Sequence, residues 1–275
     1  YFNEALAFNR IKETGRRFGF LNSTSIFSDT GMVFMPERET WKVLSYANSN
    51  LTTGLVLGLT IGRHWNVGEI GRIPWIQDLE QSQELGELAK KQFEEKVLQR
   101  MHTPVSPYYT GPGLLPTDAN LNDKYEEHPH REDAEIAQIS SESKPQDTIQ
   151  MAGRKHEISS VKRKRRLEKI SSEIDRTIYD VLELDEETQQ QIRQEIFLRT
   201  SEDPGDREVP DPESVSEVPD NIDEQVKDLV HHFAMEAVQD EPDGILPLHA
   251  TNGQADMLNR IIECFEDAYG EYSQD

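Results

Sequence analysis

Apolar residues crowd into the chain before about Leu121 and thin out after it, apart from periodic helical stretches. That asymmetry limits the fold more than any other feature. A chain of 275 residues has room for one large or two modest domains. With 35% hydrophobic residues and a mean hydropathy of -0.72, much of it lies outside any core. The expectation is an α+β protein, mostly helical. A small mixed β/α N-terminal part is followed by extended helices and disordered acidic linkers.

Short alternating runs predict strands at Phe18-Gly19-Phe20-Leu21, Ser25-Ile26-Phe27 and Met32-Val33-Phe34-Met35, with Asp29-Thr30-Gly31 as a turn. Pro36 is placed to open a helix with Glu37 and Glu39 in its first turn and Trp41, Leu44 and Tyr46 as an imperfect apolar face. Gly54, Gly58 and Gly62, four apart, predict one helix face suited to close packing. Leu85, Leu88, Phe93, Val97 and Leu98 mark a long helix over residues 78–101, stopped by the Pro/Gly-rich stretch from Thr103 to Gly113. Residues 117–152 read as a linker. A helical pair follows: residues 156–183, with Ile170, Ile174, Ile178, Val181 and Leu182 along one side, and a second helix capped by Asp185 with Ile192, Ile196 and Phe197 as its face. After an acidic Pro-containing linker, two helices are expected near residues 221–239 and 254–269. The segments are thus 1–76, 77–116, 117–152, 153–201, 202–220 and 221–275.

The net charge of -23 opposes nucleic-acid binding at first sight, because affinity for phosphates comes from Lys and Arg releasing counterions. The acids are spread along the whole chain and Lys is scarcer than Arg, 12 against 17. That pattern fits a halophilic protein, whose charge acts over a Debye length of ~3 Å in molar salt; an ordinary acidic protein is the alternative. The lone Cys264 sits in a helix-like apolar stretch, so a structural thiol is expected rather than a nucleophile, with no disulfide framework or zinc cluster. The longest apolar run, Gly54 to Gly62, falls far short of the about 20 residues that cross a bilayer. No membrane partner and a cytoplasmic location are expected. The start at Tyr1, with no signal-peptide pattern, reads as a fragment or split subunit.

Three motifs follow one another directly: Asn48-Ser49-Asn50, the apolar run Gly54 to Gly62, and His64-Trp65-Asn66-Val67-Gly68-Glu69-Ile70-Gly71-Arg72-Ile73-Pro74. Together they resemble the segment that follows the catalytic domain in large adenine-specific DNA methyltransferases of the PglX type, from BREX phage-exclusion systems, and in their Type IIG relatives. The family shows an Asn-Ser-bearing helix, a short aromatic strand and a Val-Gly-Asp-Ile-x-x-Ile-Pro turn in this order. The run from Glu173 to Asp185 is similar to the family's Ile-Asp-x-x-Val-Tyr-x-Leu-Tyr-Gly-Leu signature, with Leu182-Glu183 in place of Tyr-Gly. Asp243-Gly244-Ile245-Leu246-Pro247-Leu248 resembles its Asp-Gly-Ile-Ile-Pro element, and residues 18–35 resemble its Phe/Gly/Ser-rich strands. Arg63 and His64 depart from the family's more usual Asn-Pro-Thr-type approach.

The resemblance implies the DNA-recognition or scaffold portion of an adenine-N6 methyltransferase. Its expected partners are double-stranded DNA, a catalytic methyltransferase domain or subunit, and other defence-system proteins. The parent enzyme would use S-adenosylmethionine. This chain carries neither cofactor nor catalytic motif: the Asn-Pro-Pro-Tyr-type element that holds a flipped adenine needs a Pro-Pro pair, and the sequence has none. Tyr109-Thr110-Gly111-Pro112-Gly113 is read as a structural loop. His128-Pro129-His130 and His231-His232 lack the further ligands a metal needs, and no hydrolase frame appears.

Candidate DNA contacts are Arg16, Arg17, Arg63, Trp65 and Asn66, together with the basic run Lys162-Arg163-Lys164-Arg165-Arg166 on a predicted helix. Three of these have a plainer alternative: a surface charge for Arg17, a core position for Trp65, and a solvated helix paired with neighbouring Glu for the basic run. The competing function is an acidic helical protein-docking module without DNA contact.

Overall fold

The computed structural model describes residues 4–9, 18–25, 31–60, 65–104, 106–115, 145–200, 221–249 and 256–270. It is α+β and mostly helical, with one small antiparallel sheet near the N-terminus. Two compact units interleave along the chain: residues 1–98 with 163–210, and 99–162 with 211–275.

The first unit begins with strands β1 (Ala5–Asn9), β2 (Phe18–Leu21) and β3 (Gly31–Phe34), in the order β2-β1-β3. The central strand, β1, was not expected. Its register sets Phe8 opposite Phe18 and Met32, and Leu6 opposite Phe20 and Phe34. Side chains alternate along a strand, so these six form one apolar face. Leu44, Ala47, Val56 and Trp65 pack into the same cluster. The expected strand at Ser25-Ile26-Phe27 and its turn fall largely outside the described residues.

Helix α1 (Thr40–Ala47) starts later than Pro36 suggested, because Glu39 is still outside the helical range at ψ 112°. Helix α2 (Asn50–Leu59) and the short α3 (Val67–Ile70) follow. The helix expected from residue 78 is broken: a 3-10 turn (Gln77–Gln81) drops Leu79 into the core, Ser82 is extended, and α4 runs Gln83–Arg100. Helix α5 (Pro145–Val181) begins within the stretch read as linker, with Pro at its first position, where the missing N–H costs nothing. Ile174 and Ile178 pack with Tyr46, Leu79, Leu85 and Leu88 in a second cluster. Helix α6 (Glu186–Thr200) is capped as expected, Asp185 Oδ1 accepting the Thr188 N–H at 2.8 Å. Ile196 is buried but Phe197 is 49% exposed. Ile192 and Ile196 share the side turned to α2, and Phe197 lies about 100° further round the helix. Gly54 is where α2 meets Ile192: a Cβ there would lie 3.5 Å from Ile192 Cγ2. Gly58 faces open space, and Gly62 is outside the described residues.

In the second unit α7 (Ile222–Gln239) packs against α8 (Met257–Tyr269). Leu114, Leu229 and Phe233 are the buried centre, with Ile149, Ile261, Cys264 and Phe265 around them. Phe233 and Phe265 meet edge to face at 4.8 Å, and the Tyr269 hydroxyl donates to Leu114 O at 2.6 Å. Burial, then the nearby Glu236 and Asp240, pushes the Cys264 thiol up, away from the reactive thiolate. Of the stretches read as linkers, 117–152 and 202–220, residues 117–144 and all of 202–220 are outside the described residues.

Candidate functional site

The head of α2, built by the triplet Asn48-Ser49-Asn50, is a hydrogen-bonded junction of the first unit. Ser49 is the N-cap: its Oγ accepts the Thr52 N–H at 3.1 Å and donates to Tyr46 O at 2.7 Å. Asn48 serves as a one-residue strand partner, its Oδ1 accepting the Phe18 N–H at 3.1 Å while its Nδ2 donates to Phe18 O at 3.0 Å. Both side chains are almost wholly buried. The helix start is thereby tied to the first residue of β2.

The third member reaches much further along the chain. Asn50 N donates to Asp175 Oδ1 at 2.7 Å, across 125 positions, and Asp175 is 6% exposed. A carboxylate at a helix N-terminus meets unpaired N–H groups and the positive end of the macrodipole. At the far end of α2, Arg199 Nη1 donates to Leu57 O at 2.9 Å, and the same guanidinium pairs with Glu195. Opposite charges from α5 and α6 therefore hold the two ends of α2, each matched to its end of the dipole. One turn beyond Asp175, Tyr179 is 2% exposed. Its hydroxyl is pushed up to about 12, first by burial and then by Asp175, with Arg193 and Asn50 acting the other way.

This geometry bears on chemistry. A helix N-terminus is a ready cradle for phosphate, but here Asp175 occupies it. The triplet holds the fold, and no nucleophile, base or acceptor is presented to an external group by these three residues. α5 then stops in a conformation that favours glycine: Glu183 has φ 50° and Leu184 N donates back to Tyr179 O at 3.0 Å. That is the position at which the resembling family has its Gly.

The candidate DNA contacts are distributed unevenly. Arg16, Arg17 and Arg63 lie outside the described residues. Trp65 is a core residue, 2% exposed with its ring 6.1 Å from that of Phe18, which corrects its reading as a stacking platform. Asn66 heads α3, where the Glu69 carboxylate accepts its N–H at 2.7 Å and its Nδ2 at 3.2 Å. Reading adenine uses both the donor and the acceptor of an Asn amide; here the donor is engaged, beside a carboxylate that repels phosphate. In the basic run, Arg166 pairs with Glu95 at 2.8 Å and Arg163 is half-buried, while Lys162, Lys164 and Arg165 are exposed. Exposure thus divides the expected collar, with those three at the surface.

The Tyr109–Gly113 loop folds as a structural clasp in the second unit. Thr110 N donates to Met101 O at 2.8 Å, His102 Nδ1 bonds Gly111 O at 2.9 Å, and the Tyr109 hydroxyl meets His232 Nδ1 at 3.2 Å. Gly111 has φ 128°, and a Cβ at Gly113 would fall 2.2 Å from His156 Nδ1. His232 also faces Glu236 at 3.4 Å. His128 and His130 lie outside the described residues.

Comparisons with protein-family models, with curated proteins and with solved structures returned no match. Sequence reasoning missed Asp175 as the partner of the triplet, since no local signal links positions 125 apart. It also missed Arg199, whose place at the end of α2 depends on how α6 packs.

Proposed function

We propose that this chain is the non-catalytic, DNA-positioning and scaffold portion of a PglX-type or Type IIG-like adenine-specific DNA methyltransferase. The observation that carries this reading is the contact between Asn50 and Asp175. Two stretches, each similar on its own to a signature of that family, meet in one buried hydrogen bond. This is what a shared structural unit requires of signatures so far apart in sequence. The S-adenosylmethionine loop and the adenine-holding motif would belong to another segment or subunit. The role left to this chain is to hold duplex DNA, through Lys162, Lys164 and Arg165, or to dock other defence proteins.

The test is duplex binding by the full chain, read by fluorescence anisotropy from low to molar KCl. Wild type is compared with the Lys162→Ala/Lys164→Ala/Arg165→Ala variant. Log affinity against log salt has a slope of roughly -0.9 per phosphate neutralised, so removing three contacts is expected to flatten it by about 2.7. Absence of duplex binding at every salt concentration sinks the DNA role and leaves the acidic docking module as the better reading.

A further inference from the structure

We infer that the turn Glu241–Leu248 after α7, together with the first turn of α8, is a docking surface for a cationic amphipathic segment of a partner protein. This goes beyond the DNA reading and does not rest on it. The turn runs Glu241-Pro242-Asp243-Gly244-Ile245-Leu246-Pro247-Leu248, with three large apolar residues where connecting segments are usually polar.

The turn is held by hydrogen bonds. Gly244, at φ 67°, donates its N–H to Glu241 O at 3.0 Å, and Asp243 Oδ1 accepts the Ile245 N–H at 3.0 Å. Pro247 O then accepts the Met257 N–H at 2.8 Å, which ties the turn to the first residue of α8. Arg260 bridges Glu241 at 2.9 Å and Glu263 at 3.2 Å, fixing α8 to the end of α7. This frame carries Ile245, Leu248 and Leu258 at 71%, 72% and 63% exposure. Single exposed apolar residues need no explanation. Here Leu248 and Leu258 each adjoin one end of the Pro247–Met257 hydrogen bond, and Ile245 is two residues before it.

Charge identifies the occupant. Residues 221–249 and 256–270 hold eleven carboxylates against two cations, Lys227 and Arg260. Both cations are paired with carboxylates, Lys227 with Glu224 and Arg260 with Glu241 and Glu263. Asp243 and Asp256 belong to the same turn and helix start as the apolar side chains. The exposed apolar side chains therefore stand among carboxylates of their own turn and helix start, Glu241, Asp243 and Asp256. A second copy would bring the same carboxylates to the contact, and duplex DNA or an anionic membrane would be repelled in the same way. A segment with apolar residues at helical spacing, flanked by Lys or Arg, satisfies both features at once.

The test titrates the full chain with a synthetic helical Leu/Lys peptide whose Leu residues fall at i, i+3, i+4 and i+7. A peptide with Glu replacing Lys, and one of identical composition with scrambled spacing, serve as controls. The Leu/Lys peptide is expected to bind, to weaken as salt is raised, and to outbind both controls by at least tenfold. Ile245→Ser/Leu248→Ser/Leu258→Ser is expected to reduce binding at least tenfold with an unchanged circular-dichroism spectrum, and Ile245→Ser alone to reduce it measurably. Failure of the wild-type chain to bind, equal binding of the scrambled peptide, or equal binding by a folded triple variant would overturn the proposal. So would self-association of the free chain in sedimentation that the triple substitution abolishes.

Discussion

Asp175 accepts the N–H of Asn50 across 125 positions of sequence, and that hydrogen bond joins α5 to the head of α2. It turns a local motif into a tertiary one. Ser49 caps the helix locally and Asn48 binds β2, while Asp175 supplies negative charge at the positive end of the dipole. The side chains of Asn48, Ser49 and Asp175 are buried and bonded, so removing any of them leaves a backbone partner unsatisfied in a place that water does not reach.

The Asp175 bond should therefore be measurable in stability. Asp175→Ala leaves the Asn50 N–H without its buried acceptor and is expected to cost about 2–3 kcal/mol. Asp175→Asn keeps an acceptor oxygen but loses the charge, and should cost about 1 kcal/mol. The exposed neighbour change Asp180→Asn should stay within about 0.5 kcal/mol of wild type. Urea midpoints of the three variants check this; equal midpoints for Asp175→Ala and Asp180→Asn would remove the Asp175 bond from the account.

Asn48 makes a second, independent prediction. Its amide pairs with both the N–H and the C=O of Phe18. Asn48→Leu, with the same branching but bulkier ends, leaves both backbone groups unpaired and is expected to cost about 2–4 kcal/mol. Asn48→Asp keeps the acceptor but turns a carboxylate oxygen toward a carbonyl, so no rescue is expected. Should Asn48→Asp prove as stable as wild type, the amide does not bridge the strand in this way.

Glu183 holds φ 50° where α5 stops. The left-handed region costs a residue with a Cβ roughly 1–2 kcal/mol, and glycine recovers this less about 0.4–1 kcal/mol of extra unfolded-chain entropy. Glu183→Gly should raise stability by about 0.5–1 kcal/mol, whereas Glu183→Ala should not. Thermal denaturation of both variants decides between relief of backbone strain and mere loss of an exposed charge.

What the sequence made legible follows from how local each cause is. The Asp185 cap, the Ile174/Ile178 stripe and the strands at Phe18 and Met32 depend on neighbours a few residues away, and those readings agree with the fold. β1 was missed because two alternating apolar residues, Leu6 and Phe8, are too few to show a period. Phe197 was placed on an apolar face, yet only Ile192 and Ile196 turn toward α2. At the head of α2 the triplet could be seen, but its purpose could not: the anion site is filled by a residue from another helix, and only the packed structure brings the two together.

Tyr179 gives the last prediction, in alkaline solution. Burial, then Asp175, pushes its hydroxyl up to about 12 from an ordinary value of 10.0. The neutral phenol is favoured in the folded state, so its contribution is complete below pH 10. It is lost as pH rises through about 12, since the unfolded chain releases the proton first. Two pKa units correspond to about 2.7 kcal/mol between the two limits, an order-of-magnitude figure. Tyr269, pushed up by burial to about 12 in the other unit, adds a loss of the same sign. Tyr179→Phe cannot ionise, so chemical stability measured from pH 8 to pH 12 should fall less steeply for this variant than for wild type. Tyr179→Phe/Tyr269→Phe should fall less steeply still. Parallel curves for wild type and Tyr179→Phe would show that the phenol ionises as readily in the folded chain as in the unfolded one.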